Sequence, residues 1–71
     1  MTVLQTYIST AAQQFAPGNF VTIWNPELGR DAVGVTLAVE DPTEANPRIA
    51  VKWVHDLSVE LIRSEYLYLA N

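Results

Sequence analysis

His55 and Asp56 are the side chains best equipped for acid-base chemistry, the sole histidine standing directly before a carboxylate. Adjacent residues in a turn rarely present both side chains to one substrate, and no Ser, Cys or Lys stands at a spacing that marks a nucleophile. The pair therefore reads as a solvated turn. Glu40, Asp41 and Glu44 cluster around Pro42, where carboxylates could hold a hard cation. They lack the regular ligand alternation and the glycine of an EF-hand loop, so a solvated turn is again the better reading. Gly18, Gly29 and Gly34 are far apart and none precedes a clear helix, which excludes a phosphate-cradling loop. With no cysteine and one histidine, disulfides, thiolate metal sites and an ordinary structural zinc site are out of reach. The expectation is a protein that is not an enzyme, with no catalytic residue, no metal and no cofactor.

The aromatic residues are more open to a functional role. Trp24, Trp53, Tyr66 and Tyr68 fall at the ends of β-rich runs, and such side chains dominate protein interfaces because they cover much area at low entropic cost. Trp53 is expected in the core, whereas Trp24 closes its run beside a loop and is the better surface residue. A second apolar set lies near the N-terminus, where Leu4, Ile8, Ala11 and Phe15 recur at the spacing of an amphipathic helix. Thr2 with Gln5 has the form of a capping box and Ala16-Pro17-Gly18 supplies a stop. No charged side chain occurs between Met1 and Pro26, so this helix has either of two roles: a plug for one end of the fold or a surface for another protein. The candidate partner-binding residues are Leu4, Tyr7, Ile8, Phe15, Trp24, Tyr66 and Tyr68.

These residues have little scaffold to hold them. A chain of 71 residues buries only about 60% of the surface its unfolded form exposes. A single core of this size supplies about 3–5 kcal/mol, and chains this small often add disulfides, a metal or a partner subunit. With 49% apolar residues and no cysteine, association is the remaining route, as a homo-oligomer or as part of a larger complex. The net charge of −4 argues against nucleic acid as a partner, because that affinity comes from Lys and Arg neutralising phosphates. No apolar run approaches the roughly 20 residues needed to span a bilayer, and no basic region precedes a cleavable apolar stretch at the N-terminus. The expected location is the cytoplasm when synthesised, or a virion.

From Gly18 onward, β-branched and aromatic runs alternate with turn residues. Strands are expected at Phe20–Trp24, Ala32–Glu40, Arg48–Val54 and Leu57–Arg63. A single helical turn at Ser64–Tyr66 then leads to a last strand at Leu67–Ala70. Residues two apart in a strand share a face. Val33, Val35, Leu37 and Val39 therefore read as one buried row, with Gly34 on the opposite face, and Ile49, Val51 and Trp53 read as a second.

Taken together, Gly18-Asn19-Phe20-Val21, Gly34-Val35, Val51-Lys52-Trp53 and Leu61-Ile62-Arg63-Ser64-Glu65-Tyr66-Leu67 resemble the SH3-like small barrels. In many of these a glycine and a valine open strand one, a Gly-Val pair opens strand two and a tryptophan ends strand three. A final strand then runs into a one-turn helix and a leucine. The resemblance covers about 50 of the 71 residues and leaves out the N-terminal helix. It departs at Val54-His55-Asp56-Leu57-Ser58, where the family often has Asp-Gly, and the proline-peptide groove of signalling SH3 domains is not carried over. It implies a mainly β fold, a five-stranded SH3-like small barrel over residues 18–71, to which the apolar spacing adds a short N-terminal amphipathic α-helix or arm over residues 1–17. Proteins of this length and layout are frequent in tailed-phage genomes. The resemblance thus implies a phage origin. With the surplus apolar residues and the uncharged N-terminal third, the expectation is a non-enzymatic structural or assembly module that docks through its neutral helix or an exposed strand edge onto copies of itself or a virion component. The alternative is a small acidic adaptor or inhibitor of a host protein.

Overall fold

The computed structural model describes residues 8–70. In chain order the elements are α1 (Thr10–Gln14), β1 (Phe20–Asn25), β2 (Arg30–Glu40), β3 (Arg48–Trp53), β4 (Val59–Arg63), a 3₁₀ turn (Ser64–Tyr66) and β5 (Tyr68–Leu69). The strands form one antiparallel sheet in the order β4-β3-β2-β1-β5. The fold is therefore mainly β with a short helix. Among the described residues no ladder joins the outer strands β4 and β5.

The sheet must nonetheless curl. If it were flat, β4 and β5 would lie about 19 Å apart, four strand spacings. The chain crosses from one to the other through Ser64–Leu67, and a 3₁₀ turn plus one extended residue reaches only about 13 Å. The concave side so formed holds the core: Phe15, Val21, Ala32, Ile49, Val51, Trp53 and Leu67, with Ala11, Ile23, Leu28, Val39 and Ile62 packed against it.

The row Ile49, Val51 and Trp53 is buried as expected. The row on β2 is reversed. Ala32, Gly34 and Thr36 face the core, while Val33 and Leu37 are exposed and Val35 is half-buried. Gly34 lies opposite Trp53, and a Cβ on it would stand 2.9 Å from Trp53 Cε3 and inside the van der Waals envelope of Val51 Cγ1. The large side chains of β3 leave room there only for glycine, so the valines turn outward. A bulge between Thr36 and Ala38 then inserts one residue and switches the faces, which returns Val39 to the core side opposite Ile49.

The N-terminal helix is shorter than the apolar stripe suggests. Ser9 has extended backbone (φ −64°, ψ 157°), and its hydroxyl accepts the Ala12 N–H at 3.0 Å. Serine competes well for this capping geometry, so the helix begins after it and Ile8 lies outside. Leu4 and the Thr2–Gln5 capping box fall outside the described residues. What is described of this segment acts as a plug: Ala12 and Phe15 are buried, and Phe15 belongs to the core. Thr36 ties the plug to the sheet. Its hydroxyl donates to Ala16 O at 2.7 Å and accepts the Asn19 N–H at 2.9 Å. Its backbone also exchanges bonds with this loop, Gly18 N–H to Thr36 O and Thr36 N–H to Asn19 O.

Candidate interaction surface

Antiparallel register dictates which side chains share the convex face, because directly opposed residues point the same way. Tyr68, Thr22 and Val33 stand side by side across β5, β1 and β2, and Val54 extends the row through its N–H to Val33 O. Phe20, Val35, Lys52 and Val59 form the next row across β1 to β4. Ala38, Ala50 and Leu61 form a third. Phe20, Val33, Leu37, Val54, Val59, Leu61 and Tyr68 are all exposed. A largely apolar surface, broken by Thr22 and Lys52, is therefore open to water on one side of a very small fold. Soluble monomers rarely leave such a patch uncovered.

The residues singled out from sequence divide. Trp24 (61% exposed) and Tyr68 (71% exposed) flank Thr22 on the convex face, diagonal to one another across β1 and β5. Tyr66 is exposed on the 3₁₀ turn that leads into β5, and Ile8 is exposed just before the cap of α1. Phe15 is 6% exposed and offers no free surface. Leu4 and Tyr7 lie outside the described residues. Sequence reasoning missed Phe20, Val33, Leu37, Val59 and Leu61. The signal available was the alternation Phe20, Thr22, Trp24 beside a β2 run that is apolar at both parities.

Two hairpin tips rise at one end of the sheet. In the β1–β2 tip, Asn25 Oδ1 accepts the N–H groups of Glu27 and Leu28 at 2.9 and 3.2 Å. In the β3–β4 tip, Asp56 Oδ1 accepts the Ser58 N–H at 3.0 Å and the Ser58 hydroxyl at 2.7 Å. Those two bonds, with a smaller contribution from His55, hold the Asp56 carboxyl below its ordinary value. His55 Nε2 lies 3.6 Å from Asp56 Oδ2. The Asp56 carboxylate is thus engaged in folding its own turn.

Between the tips opens a cleft of about 330 Å³, walled by Trp24, Trp53, Ile62 and the acidic side chains Glu27, Asp56 and Glu60. Glu60 Oε1 accepts the Trp53 indole N–H at 3.0 Å. At the opposite end Arg48 and Arg63 face each other across β3 and β4. Like charges placed so repel. Each is neutralised on its far side, Arg48 by Glu40 at 3.0 Å and Arg63 by Glu65 at 2.8 Å. No described helix is long and apolar enough to cross a membrane. In comparison with known proteins, no family model, no curated protein and no solved structure matches the chain.

Proposed function

We propose that this chain is a non-enzymatic assembly module of the SH3-like small-barrel kind, which associates with copies of itself or docks onto a virion component. The observation that carries the reading is the convex apolar face to which Phe20, Val33, Val35, Leu37, Val59, Leu61 and Tyr68 contribute from four of the five strands. Burial of this face against another protein supplies free energy that so small a core lacks. Two features support the barrel assignment: the short Ser64–Leu67 link between the outer strands, and a buried Leu67 directly after the one-turn helix. The phage assignment rests on the resemblance in length and layout alone. The Asp56 carboxylate, held by Ser58, supports the reading of His55-Asp56 as a turn without catalysis.

The test is multi-angle light scattering on the full chain over a wide concentration range, with Val33→Lys as the face variant. A mass above one chain that falls in Val33→Lys supports the reading. A monomer at every concentration, with no copies found by mass spectrometry of purified virions, overturns it. The second reading, an acidic adaptor, is favoured by the cleft, whose lining includes Glu27, Asp56 and Glu60 and no Lys or Arg. It requires that a basic segment of a partner bind there and that Glu60→Gln weaken the binding.

A further inference from the structure

The sheet has two outer strands, and they are unequal. β5 contributes two residues, whereas β4 runs five without a break in its register. A free edge is a row of unpaired N–H and C=O groups, and proteins blunt it with proline, a bulge, lysine or a cover. Val59–Arg63 contains no proline and no bulge, and among the described residues no strand lies on its outer side. The one charge within the strand that points to the concave side, Glu60, is held by the Trp53 indole N–H and stays clear of the edge.

The ladder fixes which groups are free. Trp53 N–H donates to Ser58 O and Ser64 N–H donates to Pro47 O, so even-numbered residues of β4 turn their backbone groups toward β3. Val59, Leu61 and Arg63 consequently direct N–H and C=O outward. Their side chains are also the part of β4 that lies on the convex apolar face.

We infer that two copies of the chain join antiparallel along their β4 edges about a twofold axis at Leu61. The inference rests on the reading of self-association and adds to it a second contact, made by the strand edge, which leaves the convex faces open. In this register Leu61 pairs with Leu61 of the second copy, Val59 with its Arg63 and Arg63 with its Val59, which makes roughly six main-chain hydrogen bonds. A twofold centred on Arg63 would oppose two arginines that already face Arg48, and one centred on Val59 would run into the hairpin tip at Leu57. The Leu61-centred register keeps the arginines apart and brings the two convex faces into one apolar surface.

Leu61→Pro is the first variant. Its missing N–H points away from β3, so the intramolecular ladder keeps its bonds, while two intermolecular bonds at the axis are lost. It is expected to raise the dimer Kd by about tenfold or more. Leu61→Cys is the second. The chain has no cysteine of its own, and a directly opposed hydrogen-bonded pair has its Cα atoms about 5.5 Å apart, within disulfide reach. Mild oxidation of Leu61→Cys is expected to give covalent dimers, and the same treatment of Ser58→Cys none. Hydrogen exchange on the unaltered chain should show the amides of Val59, Leu61 and Arg63 gaining protection as concentration rises. The inference is overturned if Leu61→Cys forms no covalent dimer, or if Leu61→Pro, folded by circular dichroism, associates as tightly as the unaltered chain. If association persists in Leu61→Pro but is lost in Val33→Lys, the edge geometry fails while the apolar-face reading stands. A chain that stays monomeric with concentration-independent exchange sinks both.

Discussion

Replacing Thr36 by valine keeps the shape of the side chain and removes the hydroxyl that serves both Asn19 N–H and Ala16 O. Two backbone groups at the junction of plug and sheet then lose their partner, and Thr36 is 1% exposed, so water does not replace it. The expected loss is about 1–3 kcal/mol in urea unfolding. Gly34→Ala acts by the opposite route, overfilling the space against Val51 and Trp53. Overpacking costs about 1–3 kcal/mol, a large part of a margin of about 3–5 kcal/mol, and Val51→Ala in the same chain should recover part of it. A double-mutant cycle by thermal unfolding measures that coupling. At the β3–β4 tip, the depressed Asp56 carboxyl favours the fold above the ordinary carboxylate range, and this contribution is lost as pH falls through the folded-state value. Ser58→Ala removes the hydroxyl that contributes most, so the Asp56 titration followed by NMR should move upward.

Among the elements, the β3–β4 turn stores strain. Leu57 adopts φ 61°, a left-handed conformation that costs an L-residue about 1–2 kcal/mol, and its side chain is exposed. Leu57→Gly loses little packing, and after the greater unfolded-state entropy of glycine it should raise stability by about 0.5–1 kcal/mol in chemical denaturation. The departure from the Asp-Gly pattern was visible in the sequence at this place, and it coincides with the strain. Other elements were legible to differing degrees. The buried row of β3 was readable because Arg48 and Lys52 share one parity while Ile49, Val51 and Trp53 share the other. β2 was not, since Ala32 to Val39 is almost wholly apolar at both parities, and only the bulk of Val51 and Trp53 across the ladder decides which face is inside. The cap of α1 was not legible, because a four-and-three spacing carries no information about Ser9 standing outside the helix to cap it. The candidate surface was half legible. Trp24 and Tyr68 stand out by type, whereas Phe20, Val59 and Leu61 acquire their exposure from strand register, which depends on that same choice of face on β2.

For the whole molecule, the proposed self-association would make folding and association one equilibrium. Anything that binds the folded chain alone stabilises it in proportion to the logarithm of its concentration, and under that proposal the ligand is a second copy. Calorimetry over a hundredfold range of protein concentration should therefore show Tm rising in the unaltered chain and rising less steeply in Leu61→Pro. The brevity of β5 has a consequence in time as well. β1 to β4 are joined by local hairpins, which close early because their ends are near in sequence, while β5 must find β1 across about two thirds of the chain. Its ladder holds two registered pairs and one further bond from Ala70 N–H to Phe20 O. The last ladder to form is also the weakest, so the native molecule opens first at that seam. In that half-open species β1 is an unguarded template carrying Phe20 and Trp24, and the route to disordered aggregation begins there, on the side of the sheet away from β4.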